Sequence, residues 1–180
     1  MKKMMKVAAM LAAVVLAAGM TACQKSAGPA KAAKPTPVNE FSRELTKDAS
    51  GVRILKYNGS AKSVVIPAEI EGLPVKEIGR DAFRGNETLK RVTIPDSVQV
   101  IYASAFNGCT ALESVTLGNS VQEIGIAAFY GCTALQNLAI PDSLQKIKFG
   151  FEFSHEGFKG TELPLATQAR LKALGYTSSF

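Results

Sequence analysis

The chain has 180 residues, 47% apolar and 20% charged, enough for one domain with a sizeable core. Its formal charge of +6 and pI near 9.3 invite a nucleic-acid reading, but six of the 21 basic residues precede Phe41, and from there on 15 basic residues meet 14 acidic ones. A nearly neutral folded part supplies no phosphate-tracking field, so nucleic acid is disfavoured as a partner.

Residues 1–22 read as an export signal. Lys2, Lys3 and Lys6 form a positive start, and Val7 to Met20 is a run of apolar and small residues. That run is too short to span a bilayer as a helix, which takes roughly 20 residues. Met20-Thr21-Ala22-Cys23 comes next and resembles a bacterial lipobox, with Met20 where Leu is usual. The resemblance implies cleavage before Cys23 and lipidation of its thiol, hence a membrane partner through the lipid; two or more acyl chains give stable attachment. The competing reading is an ordinary secretory signal with an incidental cysteine. Gln24 stands where some inner-membrane lipoproteins carry aspartate, which points to the outer membrane or cell surface.

Residues 23–40 are rich in Ala, Lys, Ser, Gly and Pro, with Val38 the one large apolar residue. Such a stretch buries too little to offset its chain entropy and is expected to be a disordered tether. Lys25, Lys31 and Lys34 lie along it, a solvated spacer able to touch anionic lipid. Residues 41–63 are expected to form an N-terminal cap, a short strand or hairpin covering the first coil of a repeat array. Val52, Ile54 and Tyr57 have strand character, and Asn58-Gly59 suggests the end of a hairpin.

From residue 64 to 163 the chain repeats. Ile78, Ile101, Ile124 and Ile147 are 23 residues apart, as are Phe83, Phe106 and Phe129. Leu89, Leu112 and Leu135 keep the same step, and so do Val92, Val115 and Leu138. Alternating apolar positions at Leu-x-x-Val-x-Ile define a strand with one buried face. Pro95 and Pro141 end it, with Gly118 at the matching place between them; Asp-Ser or Asn-Ser turns the chain, and a second apolar pair such as Val121 and Ile124 returns on the other side. Gly85, Gly108 and Gly131 then relax the closing bend. One coil cannot bury its own apolar side, so neighbours must stack.

Val-Thr-Ile-Pro-Asp-Ser-Val (92–98) and Ile-Gly-Ile-Ala-Ala-Phe-Tyr-Gly-Cys (124–132), with their copies, resemble the BspA-like, treponemal-type leucine-rich repeat family. The resemblance runs from about Gly51 to Leu163. It implies a β-rich leucine-rich-repeat solenoid of about four coils with short turns and bends, and by family association an adhesion-like role. The first repeat is longer by five residues, since Ile66 and Ile94 are 28 apart. In the fourth, Glu152 occupies the phenylalanine position and Phe158-Lys159-Gly160 recurs six residues late, so Phe149 to Gly157 reads as an insertion. Residues 164–180 are expected to be a capping helix and tail, with Leu165, Ala169, Leu171 and Leu174 at helical spacing between Pro164 and Gly175.

Catalytic chemistry finds little support. His155 is the sole histidine, its neighbour Glu156 lacks a second histidine four residues on, and no serine sits in a Gly-x-Ser-x-Gly elbow. A hydrolase built on His155 with Glu152 or Glu156 is the weakest of the readings; no cofactor, metal or enzymatic activity is expected. Cys109 and Cys132 share a column and read as buried small residues rather than a disulfide, because parallel stacked side chains keep their Cβ atoms too far apart. What remains is surface. Lys90, Arg91 and Thr93, then Glu113, Ser114 and Thr116, then Gln136, Asn137 and Ala139 should point outward in stacked columns, a face for a protein ligand on an expected monomer. An envelope-assembly accessory is the alternative to a surface binding module.

Overall fold

The computed structural model describes residues 34–147, 158–159, 161–176 and 180. Strands run in chain order as β1 (Phe41–Leu45), β2 (Val52–Tyr57), β3 (Ser63–Val65), β4 (Glu69–Ile70) and β5 (Leu73–Ile78). They continue as β6 (Arg91–Thr93), β7 (Val100–Ile101), β8 (Ser114–Thr116), β9 (Glu123–Ile124), β10 (Asn137–Ala139) and β11 (Lys146–Ile147), before one helix, α1 (Leu165–Ala173).

Each repeat contributes one strand to each of two sheets. β3, β6, β8 and β10 stack in parallel as one sheet, while β5, β7, β9 and β11 stack in parallel on the other side of the coil. The register obeys the 23-residue step: Val92 pairs with Val115 and Val115 with Leu138; Ile78, Ile101, Ile124 and Ile147 pair in turn. The solenoid of about four coils and its C-terminal helix are therefore present as the sequence periodicity predicts.

Between the sheets lies a core whose most ordered feature is a file of rings. Tyr57, Phe83, Phe106, Phe129 and Phe158 stack with centroids 5.2, 4.8, 5.2 and 5.6 Å apart. Phe41 extends the file at one end, and Tyr176 and Phe180 at the other. The late phenylalanine, Phe158, thus resumes the column after the insertion. The insertion itself, with Glu152, His155 and Glu156, lies outside the described residues, as do the signal and Cys23.

The bend that carries each ring is stitched to the next coil by backbone bonds, Phe83 N–H to Ala105 O at 2.7 Å and Phe106 N–H to Ala128 O at 2.8 Å. It ends on Gly85, Gly108 and Gly131, all at φ near +70°, as the glycine column suggests. It also holds a second left-handed column without glycine: Asp81, Ser104 and Ala127 have φ of 58°, 56° and 53°. Non-glycine residues there cost about 1–2 kcal/mol each, which ring and strand stacking must offset. Gly118 has a different reason. A Cβ there would lie 2.3 Å from the Pro95 carbonyl oxygen, so this coil cannot carry a side chain in the proline column.

The five extra residues of the first repeat form the β4–β5 hairpin. Glu71 and Gly72, both at positive φ, make its two-residue turn, as tight hairpins require. The N-terminal cap is the β1–β2 hairpin, which turns through Thr46–Gly51 and ends with β2 at Tyr57, just before Asn58-Gly59. Asp48 holds that turn by accepting from the Thr46 hydroxyl and the Ser50 amide and hydroxyl, which keeps its carboxyl well below the usual range. Past its end, Asn58 donates its N–H to Glu40 O, which ties the stretch after β2 to the start of β1.

The packed domain also begins earlier than the composition suggests. Thr36 is buried; its N–H bonds Val65 O at 2.8 Å and its hydroxyl accepts from Val65 N–H at 2.9 Å. A proline-flanked threonine can satisfy the open edge of β3, and this specific pairing outweighs the polar composition around it.

At the other end α1 is in place, but its inner face is narrower than the apolar spacing implies. Leu171 is buried, Leu165 is 82% exposed and Ala169 is exposed. The anchor that sequence reasoning missed is Tyr176, past Gly175, which packs edge-on against Phe158 and accepts its N–H. Thr167 bonds Leu138 O, so the helix covers a carbonyl of the last strand in the face.

Cys109 and Cys132 are buried free thiols that donate to the carbonyls of Phe83 and Phe106 in the preceding coil, at 3.0 and 3.1 Å. Thr161 fills the equivalent place in the last turn and bonds Phe158 O. Burial pushes the Cys109 thiol up to about 11 and raises Cys132 as well.

Both the ring file and the buried thiols can be tested in solution. Phe106→Ala, in mid-file, should lose about 3–5 kcal/mol in urea unfolding, and Phe106→Leu, which keeps volume without the rings, clearly less. In native protein at pH 8 a thiol reagent should leave Cys109 and Cys132 untouched until denaturant is added; rapid native modification would contradict their burial.

Candidate functional site

The broad face of β3, β6, β8 and β10 is where the candidate residues meet. Val92, Val115 and Leu138 turn into the core, so their neighbours in each strand must turn out. Arg91, Ser114 and Asn137 pair in one outward column, and Thr93, Thr116 and Ala139 in a second. A third column precedes the strands. Glu113 N–H bonds Lys90 O at 2.8 Å and Gln136 N–H bonds Glu113 O at 3.2 Å, which stacks Lys90, Glu113 and Gln136. All eight predicted residues, Lys90, Arg91, Thr93, Glu113, Ser114, Thr116, Gln136 and Asn137, therefore lie together.

Polar contacts fix the third column. Lys90 Nζ reaches Glu113 Oε1 at 2.6 Å, and this bond holds the Glu113 carboxyl below its ordinary range. Arg91 approaches the same carboxylate at only 4.0 Å and is 67% exposed on its side chain. Gln136 donates to Glu162 at 3.0 Å. These bonds run between exposed groups, so they order the side chains more than they stabilise the fold.

Several face residues were not legible in the repeat columns. Ser63 and Val65 of β3 complete the two outward columns, since they pair with Arg91 and Thr93 at the 28-residue step of the longer first repeat, outside the 23-residue columns. Pro164 and Thr167 come from the C-terminal cap. With Ser114, Thr116, Gln136, Asn137 and Ala139 they line a shallow depression of about 350 Å³ at the C-terminal end of the face. The five-residue insertion and a helix outside the repeat left no periodic signal at those places.

Other hollows have structural explanations. A cavity of about 460 Å³ lies along β1, and Arg43 and Glu71 in its wall form an ion pair. Arg53 on β2 is held by Glu77 and Glu44 and lies over the Tyr102 ring at 4.9 Å, so its guanidinium is committed. Ser97 and Ser143 use their hydroxyls on Ala68 O and Val121 O, as turn residues do. Among the described residues no three His, Cys, Asp or Glu side chains are placed to hold a metal ion. Nor is any helix among them long and apolar enough to cross a membrane.

Known proteins fit this geometry. The profile of the BspA type leucine rich repeat region matches residues 54–164 in six copies. A leucine-rich repeat protein of Treponema pallidum superposes with a TM-score of 0.64 at 27% identity, over 82% of this chain and 99% of that one. A leucine-rich repeat protein of Bacteroides capillosus gives 0.58 at 28%, covering 72% and 97%. A leucine rich cell surface protein of Faecalibacterium prausnitzii gives 0.56 at 31% over 64% of this chain, which spans about a third (32%) of that larger protein. No curated protein matches. With the repeat profile over more than half its length and the same coils in solved structures, the chain belongs to the BspA-type leucine-rich repeat family, whose repeat domain is suited to protein–protein interaction.

Proposed function

We propose that the chain is an exported lipoprotein, held in the outer membrane or at the cell surface by lipid on Cys23, that binds a protein partner with the face of β3, β6, β8 and β10. The observation that carries the reading is the face itself. Four parallel strands present their outward columns to solvent, uncovered by any other described element except the start of α1 at one edge. The fold maintains such a surface without using it internally, and extended repeat faces serve as binding surfaces. The lipobox-like Met20-Thr21-Ala22-Cys23 and the apolar run before it support export and anchoring. The cell-surface description of the Faecalibacterium relative supports outward display.

Protease shaving of intact cells tests the display. The repeat domain should be removed from wild-type cells, while Cys23→Ser should release it from the membrane fraction. Protection until the envelope is opened would contradict surface display and turn the reading toward an envelope-assembly accessory. Attachment unchanged by Cys23→Ser would remove the anchor. Once a partner is in hand, Thr116→Arg with Asn137→Arg should weaken it at least tenfold with unchanged thermal stability.

A further inference from the structure

The sheet of the open face has each of its edges met by a threonine. Thr36 takes both the N–H and the carbonyl of Val65 on β3, and the Thr167 hydroxyl takes the Leu138 carbonyl on β10. β1 ends the other sheet, and among the described residues no strand pairs with its outer side. An uncovered edge of this kind is a template for another strand. The Arg43–Glu71 ion pair accounts for one wall of the hollow of about 460 Å³ along β1. It does not account for Leu45, which lines the same hollow and is 56% exposed.

The register shows which backbone groups this edge offers. Thr46 N–H bonds Gly51 O and Asn58 N–H bonds Glu40 O, so residues 40 and 46 turn their backbone groups toward β2 and its flanks. The bulge at Ser42/Arg43 lies on β2, where Leu55 is the extra residue, so alternation along β1 is unbroken. Phe41, Arg43 and Leu45 therefore direct their N–H and carbonyl groups outward, and their side chains share one face of the strand.

We propose that this edge is a self-association surface, on which β1 of a second copy pairs antiparallel about a twofold axis at Arg43. Only pairings that set like faces together are allowed, and this one alone matches all three outward residues with one another. Phe41 lies opposite the second copy's Leu45, and Leu45 opposite its Phe41, so both exposed leucines are covered by apolar partners. Arg43 meets its counterpart at the axis. Opposed like charges would cost stability, but each guanidinium brings its own Glu71, so two neutral pairs meet. The dimer uses neither β6, β8 nor β10, whose face stays available to a protein partner.

The test follows the exported chain carrying Cys23→Ser, whose remaining cysteines are buried, by analytical ultracentrifugation. It should be a dimer that dissociates on dilution. Leu45→Pro removes an outward N–H that no ladder bond to β2 uses, and should raise the dissociation constant at least tenfold with the circular dichroism unchanged. Engineered cysteines supply a second measurement. Arg43→Cys should oxidise to a covalent dimer, since the two Cα atoms would lie about 5.5 Å apart. Glu44→Cys should not, because its counterpart is out of register and beyond the roughly 7 Å limit. A chain that stays monomeric at the highest concentration reached overturns the proposal. So does a dimer that a folded Leu45→Pro chain retains, or one that crosslinks through position 44 and not 43. If Leu45→Pro fails to fold, the two cysteine variants decide. Crosslinking from position 43 to a different protein without self-pairing would also overturn it and assign the edge to a foreign strand.

Discussion

Along the axis of the coils the rings of Phe41, Tyr57, Phe83, Phe106, Phe129, Phe158, Tyr176 and Phe180 touch one after another, from 4.8 to 5.6 Å between centroids. A ring can stack only on a neighbour at nearly the same place in its own coil, so the file penalises any slip between repeats. Each contact contributes about 0.5–1.5 kcal/mol beyond the burial of its area. The strands then need little length of their own. Three residues in one sheet and two in the other suffice for the middle coils, because the rings and bends set their register. The caps obey the same constraint: Tyr57 closes the file from the hairpin side, and Tyr176 closes it edge-on from beyond the helix.

This arrangement explains why an open face exists at all. Packing demands are met between the two sheets, where Val92, Val115, Ile101 and Ile124 are buried in the same core cluster as the rings. The outward positions of β6, β8 and β10 are then free of structural duty beyond β-propensity and solubility, and can vary in chemistry from Arg91 to Asn137 without disturbing the stack. Repetition keeps the backbone constant while the surface changes, which is how a single scaffold serves different partners.

The columns were legible because stacking repeats one environment every 23 residues, so the same demand selects Phe, Ile and Leu each time. Periodicity alone gave the coils, both sheets and the eight face residues. It failed where an environment occurs once. Thr36 on the edge of β3 is a single contact in a polar stretch, and Tyr176 caps the file from outside the repeat. The turn at Thr46–Gly51 is built from local Asp48 bonds, whereas Asn58-Gly59 has the composition of a hairpin turn but serves as a connection. Leu165 shows the opposite error: an apolar residue at helical spacing that the cap leaves in water. Pro164 and Thr167 reach the face only because the helix folds back over β10.

Whether the partner meets the open face is tested most directly by site-specific photocrosslinking in intact cells. A crosslinking residue at Thr116, in the middle of that face, should capture a discrete partner. The same residue at Gln122, exposed before β9 on the other side of the coil, should capture none. Capture from Gln122 with silence at Thr116 would contradict a binding role for the open face and move the surface to the opposite sheet.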